Sequence, residues 1–347
     1  MEQLQAARLD TKPEISFGKN LPYYENLNFS DTAEYKRITL NDQQWMNPLI
    51  TIENGLATDN CFGTYYLWGD AFGLRIAACG MRLLAYCGTG SQLRFFYPHG
   101  SGSLKDAVLC MEEKAREHHA DLEISGVTKE QKEALTLALP GYFTFEEKRS
   151  RADYIYNVES LAFLAGKKLH SKKNHCNRFE RDYPDWHCEM LEESHMEDCL
   201  GLLSKWEENH QEGQDDEMRQ AEETAVVKSF RHYHALHMAG VVLYAGGELV
   251  GFSFGEPIGE HGFDVHFEKA DAKIHGAYAV VNREMAKMIQ THYPNVRFLN
   301  REEDMGMENL QKAKESYRPA FLIEKYSAYH PVCISGGIWA EGKLVKQ

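Results

Sequence analysis

From residue 61 the apolar and aromatic positions come in compact runs: CFGTYYLW (61–68), LRIAAC (74–79), RLLAYC (82–87) and LRFFYP (93–98). Runs of this length, rich in aromatic residues and punctuated by glycine, predict strands in an antiparallel meander. The period then lengthens. Ser103, with Asp106 three residues on, predicts a capped helix through about His118. A strand at DLEISGV (121–127), a helix over 128–139 stopped by Pro140-Gly141, and a strand at YFTFEE (142–147) follow.

The same order recurs further on. VVLYAGGELVGFSFG (241–255) predicts a hairpin turning at Gly246-Gly247, and FDVHFEKA (263–270) a third strand with clean alternation. Gly276 to about His292 is helical, with Ala277, Val280, Val281, Met285, Met288 and Ile289 on one stripe. VRFLN (296–300) predicts a strand, 307–316 a short helix, and AFLIEKYSAY (320–329) a last strand closed by Pro331. Between the halves lie DYIYN (153–157), a basic helix near 167–182 and acidic helices across 195–237. Two domains are expected, 1–150 and 151–347, the second carrying the site. A meander crossed by a helix, then strand–helix–strand, is the order of the GCN5-related acetyltransferase (GNAT) fold. The expected class is therefore α+β: two tandem GNAT-like domains, with mixed, mostly antiparallel sheets flanked by helices.

Charge changes the picture of partners. The 347 residues hold 52 Asp and Glu against 38 Lys and Arg, a net charge of −14, which argues against a general nucleic-acid coat or a polybasic membrane binder. The distribution is uneven. Residues 192–223 hold twelve acids against Lys205 and Arg219, whereas 167–181 (KKLHSKKNHCNRFER) holds six bases against Glu180 alone. That +5 stretch suits the phosphates of RNA, a lipid head group or a nucleotide, unless the acidic helices neutralise it. At helical spacing Lys168, Lys172 and His175 share a face, with Lys173 beside them.

The eight cysteines never fall at CxxC spacing, and His232, His234 and His237 do not fit ligand spacing, so no metal is expected. With no secretory leader core and no long apolar run, a cytoplasmic protein is expected. No Walker A loop, GxSxG elbow or dinucleotide fingerprint is present.

Three segments hold candidate chemistry. In HFEKA (266–270), His266 and Glu268 fall on one strand face and Lys269 on the other, and Glu268 or His266 is a candidate general base; an edge ion pair is the plain alternative. LNREEDMG (299–306) collects Asn300, Arg301, Glu302, Glu303 and Asp304 at a strand end, with Lys314, Tyr317 and Lys325 following; a capped, solvated loop is the alternative. Lys273–Tyr278 stands where a CoA pyrophosphate loop belongs, yet keeps only Gly276, so a packing role for that glycine is an equal reading.

Together DYIYN, LAGKKLHSKKNHCNRFE (164–180), GELVGFSFGE (247–256), HFEKA, GAYAVVNRE (276–284) and NREEDMGMENLQKAKESYRP (300–319) resemble the C-terminal catalytic domain of phosphatidylglycerol lysyltransferases, and its soluble bacterial relatives more closely. The resemblance implies the tandem GNAT-like fold of Fem-type aminoacyltransferases and transfer of an aminoacyl group from aminoacyl-tRNA to an amine or hydroxyl. It carries Lys172, Lys173, Asn174, Glu268, Lys269, Asn300, Arg301, Glu302, Asp304, Lys314 and Tyr317 as family-motif positions. Asp304 joins Glu268 and His266 as a catalytic candidate, and the rest, with Gly276, are expected to bind donor or acceptor. An acyl-CoA donor and a non-catalytic RNA- or partner-binding module on the same fold are the alternatives.

Overall fold

The computed structural model describes residues 34–209, 216–330, 337–340 and 343–346. Its first half runs β1 (Lys36–Arg37), α1 (Gln43–Ile50), α2 (Phe62–Trp68), β2 (Arg75–Cys79), β3 (Arg82–Cys87), β4 (Arg94–Phe96), α3 (Leu104–Glu117), β5 (Leu122–Thr128), α4 (Lys129–Ala138) and β6 (Thr144–Glu147). After it come β7 (Asp153–Asn157), α5 (Val158–Phe163), α6 (His170–Asp182), β8 (His187–Met190), α7 (Met196–Asn209) and α8 (Asp216–Arg231). The chain continues through β9 (Ala239–Ala245), β10 (Glu248–Ile258), β11 (Gly262–Ala270), α9 (Ala277–His292), β12 (Phe298–Asn300), α10 (Glu308–Ser316), β13 (Phe321–Ile323) and β14 (Lys325–His330). A small hairpin, β15 (Gly337–Ala340) and β16 (Lys343–Lys346), ends it.

Two seven-stranded sheets result, in the orders β1-β2-β3-β4-β5-β14-β6 and β13-β7-β12-β11-β10-β9-β8. Both are mixed and flanked by helices, as the periodicities predict. Ser103 caps α3, accepting from the Asp106 N–H, and Thr128 with Gln131 forms a full capping box on α4. Gly246 and Gly247 turn the β9–β10 hairpin with φ of 62° and 78°.

Two of the predicted elements differ. CFGTYYLW is helix α2, because Phe62, Tyr65 and Tyr66 sit at i, i+3 and i+4 and bury one stripe, with Phe62 and Tyr66 stacked at 5.5 Å. AFLIEKYSAY is two strands that part company. β13 pairs with β7 in the second sheet, then β14 crosses into the first sheet between β5 and β6.

The second sheet has an apolar core on each face. One face packs on α5, α6 and α9 through Val241, Leu243, Val265 and Phe263; the other packs on α1, α2, α7 and α8 through Val242, Phe252, Phe254 and Phe267. Among the described residues, α7 and α8 therefore pack on the face of the sheet opposite basic α6. The change of face between Val265 and Phe267 marks a bulge: β11 pairs Phe254 with Phe267 but Glu256 with Asp264. Gly255 faces it, and a Cβ there would stand 1.7 Å from the Asp264 carbonyl oxygen. The extra residue puts His266 and Glu268 on opposite faces, contrary to the alternation read from HFEKA.

Candidate functional site

β11 and β12 run parallel but pair only over Gly262–Asp264 and Phe298–Asn300. Beyond that point the chain leaves β12 into the 301–306 loop, and among the described residues β11 continues from Val265 to Ala270 paired to β10 alone. A wedge opens between the two strands, with an unpaired strand edge along one side.

Glu268 lies at this edge on the α9 face. It accepts hydrogen bonds from Arg301 Nη2 at 2.8 Å and from Asn282 Nδ2 at 3.0 Å, so two elements fix the carboxylate. Arg301 stacks on Tyr317 (4.9 Å) and Tyr156 (5.6 Å), and Lys172 Nζ sits 4.0 Å over the Tyr317 ring. Burial, then the Arg301 charge beside it, pulls the Lys172 ammonium below the usual lysine range. Arg301 Nη1 and Asn282 Oδ1 are buried without a hydrogen-bond partner. One donor and one acceptor flanking a fixed carboxylate suit a small polar group bound between them.

On the other face His266 is enclosed. Its Nδ1 lies 3.0 Å from Glu302 Oε1 and its Nε2 3.0 Å from Glu256 Oε1, with Cys61 Sγ at 3.9 Å and Asp264 Oδ2 also 3.9 Å away. Glu256, Asp264 and Cys61 were not among the predicted site residues. Only the bulge, which a single sequence does not display, aims His266 at them.

The loop after β12 is held from below. Lys314 donates to the carbonyls of Arg301, Glu302 and Glu303, and burial pushes its ammonium down to about 8. Asn300 donates to the Leu56 carbonyl and to Asp153. Asp304 accepts from Arg149, from the Tyr154 hydroxyl and from the Gly306 N–H, tying the loop to Arg149 ahead of β7 and to Tyr154 within it.

The other predicted residues lie elsewhere. Lys269 pairs with Glu222 of α8. Lys173 and Asn174 are exposed on α6, and Lys168 falls in a 3-10 turn before that helix rather than on its face. Gly276 caps α9 with φ 89°, and a Cβ there would stand 2.6 Å from the His175 carbonyl, so it lets α6 pack on the start of α9.

The model of the phosphatidylglycerol lysyltransferase C-terminal family matches residues 54–329, which include every strand of this wedge. The chain belongs to that family. A conserved protein of unknown function from Bacteroides thetaiotaomicron is 34% identical over 86% of this chain and all of its own, with a TM-score of 0.79. L-PGS from Bacillus licheniformis shares 15% identity, covering 85% of this chain and 92% of that one, at a TM-score of 0.60. FemX shares 11%, covering 86% and 97%, at 0.54. These two likenesses are of fold, and with them the tandem GNAT-like α+β class stands. This chain also matches an uncharacterised protein of Mycoplasmoides gallisepticum at 24% identity over 181 residues, 51% of this chain and about half (56%) of that relative. No helix among the described residues is long and apolar enough to cross a membrane.

Proposed function

We propose that the chain is an aminoacyltransferase that moves an aminoacyl group from aminoacyl-tRNA to an amine or hydroxyl acceptor in the wedge beside β11. Family and fold support acyl transfer in general. The observation that carries the finer reading is Glu268, fixed by Arg301 and Asn282 against an unpaired strand edge.

The backbone N–H groups of that edge receive the donor's carbonyl oxygen as it gains charge. The acceptor's nitrogen or oxygen forms the new bond to the acyl carbon and gives its proton to Glu268. The ester bond to the tRNA 3′ oxygen breaks, and the proton passes to that oxygen. Arg301 Nη1 is free to hold a polar group of the donor. Exposed Lys167, Lys168, Lys173 and Lys273, around α6 and the turn ahead of α9, offer cations for the tRNA phosphates. No enzyme nucleophile is needed.

An acyl-CoA donor is the second reading, favoured by a strand leading into a glycine-capped helix, where backbone N–H groups commonly hold a pyrophosphate. Against it, α6 closes over Gly276, and the Ala277 N–H already donates to the Ile274 carbonyl.

The test is to incubate the full chain with radiolabelled aminoacyl-tRNA and follow loss of label from the tRNA into product. Glu268→Gln is expected to slow transfer by about 10²–10⁴-fold with tRNA binding kept. Binding without transfer would favour a non-catalytic module. Absence of tRNA binding together with saturable acetyl-CoA binding would favour the CoA donor.

A further inference from the structure

We propose that Cys61, Glu256 and His266 form a zinc site, with Glu302 and Asp264 as the acidic partners behind the imidazole. Glu256 Oε1 and Cys61 Sγ lie 3.0 Å and 3.9 Å from His266 Nε2, and the three donor atoms fall within 4.8 Å of one another. Tetrahedral zinc, with bonds of ~2.3 Å to sulfur and ~2.1 Å to nitrogen, sets ligand-to-ligand edges of roughly 3.3–3.6 Å, between those two distances. Glu302 Oε1 at 3.0 Å from Nδ1 is the carboxylate–imidazole pairing that fixes the tautomer and orientation of a metal-bound histidine.

Two further observations point to a ligand here. Asp264 is fully buried, its Oδ2 lies 3.6 Å from Cys61 Sγ, and its Oδ1 has no hydrogen-bond partner. A buried carboxylate oxygen with no hydrogen-bond partner, on the residue beside Cys61 and His266, is the kind of orphaned polar group that an ion in this cluster accounts for. Gly63 supplies the second. A Cβ at that position would stand 1.9 Å from Glu256 Oε1 and 3.2 Å from His266 Nε2, so the chain carries no side chain beside the donor pair.

One sulfur, one nitrogen and one oxygen suit zinc rather than magnesium or calcium, which take oxygen ligands. On binding, the Cys61 thiol proton and any proton on His266 Nε2 pass to solvent. The ion ties the residue ahead of α2 to β10 and β11. Because the bulge places His266 and Glu268 on opposite faces, this site is distinct from the Glu268–Arg301 wedge.

The full chain, stripped with chelator and reloaded with zinc, is analysed for metal after removal of free ion, and a second sample is loaded with cobalt(II). About one zinc per chain is expected, with a near-ultraviolet thiolate-to-cobalt charge-transfer band. Cys61→Ser removes that band. Glu302→Gln keeps it but weakens zinc binding about 10–100-fold. A folded wild-type chain that retains no zinc and gives no such band overturns the proposal and leaves a buried imidazolium. So does a cobalt band indifferent to Cys61→Ser in a folded variant. Neither readout depends on turnover, so failure here is separate from failure of the transferase reading.

Discussion

Replacing Lys325 by methionine tests the contact that joins the two sheets. Lys325 Nζ lies 2.8 Å from Asp153 Oδ1, with the side chains 3% and 0% exposed, and Asp59 approaches at 3.9 Å. Methionine keeps most of the length and removes the charge. Asp153 Oδ2 still accepts from the Thr58 N–H at 3.0 Å and from Asn300 Nδ2 at 3.2 Å, but Oδ1 loses its counter-ion in a site without water contact. Breaking one side of a buried pair costs about 3–5 kcal/mol. Asp153→Asn added to Lys325→Met removes the stranded charge and is expected to recover at least half of that loss. Urea titrations followed by circular dichroism and tryptophan fluorescence measure both variants, compared at equal slope. A loss under about 1 kcal/mol for Lys325→Met, or a double variant no more stable than the single one, would refute the reasoning. The pH dependence gives the sign independently. Burial works against the ammonium, yet Asp153, Asp59 and Glu303 hold it above the usual lysine value. Its contribution is therefore full below about pH 10.4 and lost only as pH rises further.

Gly63→Ala is expected to cost about 1–3 kcal/mol by driving a methyl group into Glu256, and a thermal midpoint equal to wild type would count against the packing described. Burial alone would raise Asp304, but hydrogen bonds from Tyr154, the Gly306 N–H and Arg149 hold it below the usual carboxylate range. Its stabilisation is present above about pH 4 and lost as pH falls through that lowered value, so Asp304→Asn is expected to flatten the acid limb of the stability curve. The thiols of Cys79 in β2 and Cys110 in α3 lie 2.7 Å apart. Mild oxidation is expected to remove two titratable thiols together, and Cys110→Ser to abolish that paired loss.

Most of the architecture was legible because the elements around the wedge carry strong local signals: the Gly-Gly hairpin, the apolar, strand-length run of β11 and the apolar stripe of α9. Two elements misled for physical reasons. In Cys61–Trp68 the aromatic residues satisfy both a strand run and an i, i+3, i+4 stripe, and packing against α1 and α8 decides for the helix. Residues 320–329 read as one strand because nothing local records that Ile323 pairs with Asp153 while Lys325 pairs with Thr128 of the other sheet. At the site, Glu268, Arg301, Lys172 and Tyr317 were each visible as residue types, and the structure gathers them. Glu256 and Cys61 carried no signal, since a one-residue bulge opposite Gly255 aims His266 at them.

The place of β14 between β5 and β6 also fixes an order of events in synthesis. The 177 residues between Glu147 and Lys325 must be made before the first sheet can close. At translation rates of about 5–20 residues per second that is roughly ten to forty seconds with two strand edges open. An edge left open that long is a template for wrong pairing, within the chain or between chains. A chain cut just before Lys325 would keep that gap for good and leave Asp153 without its cation, so loss of the last 23 residues damages the sheet built first.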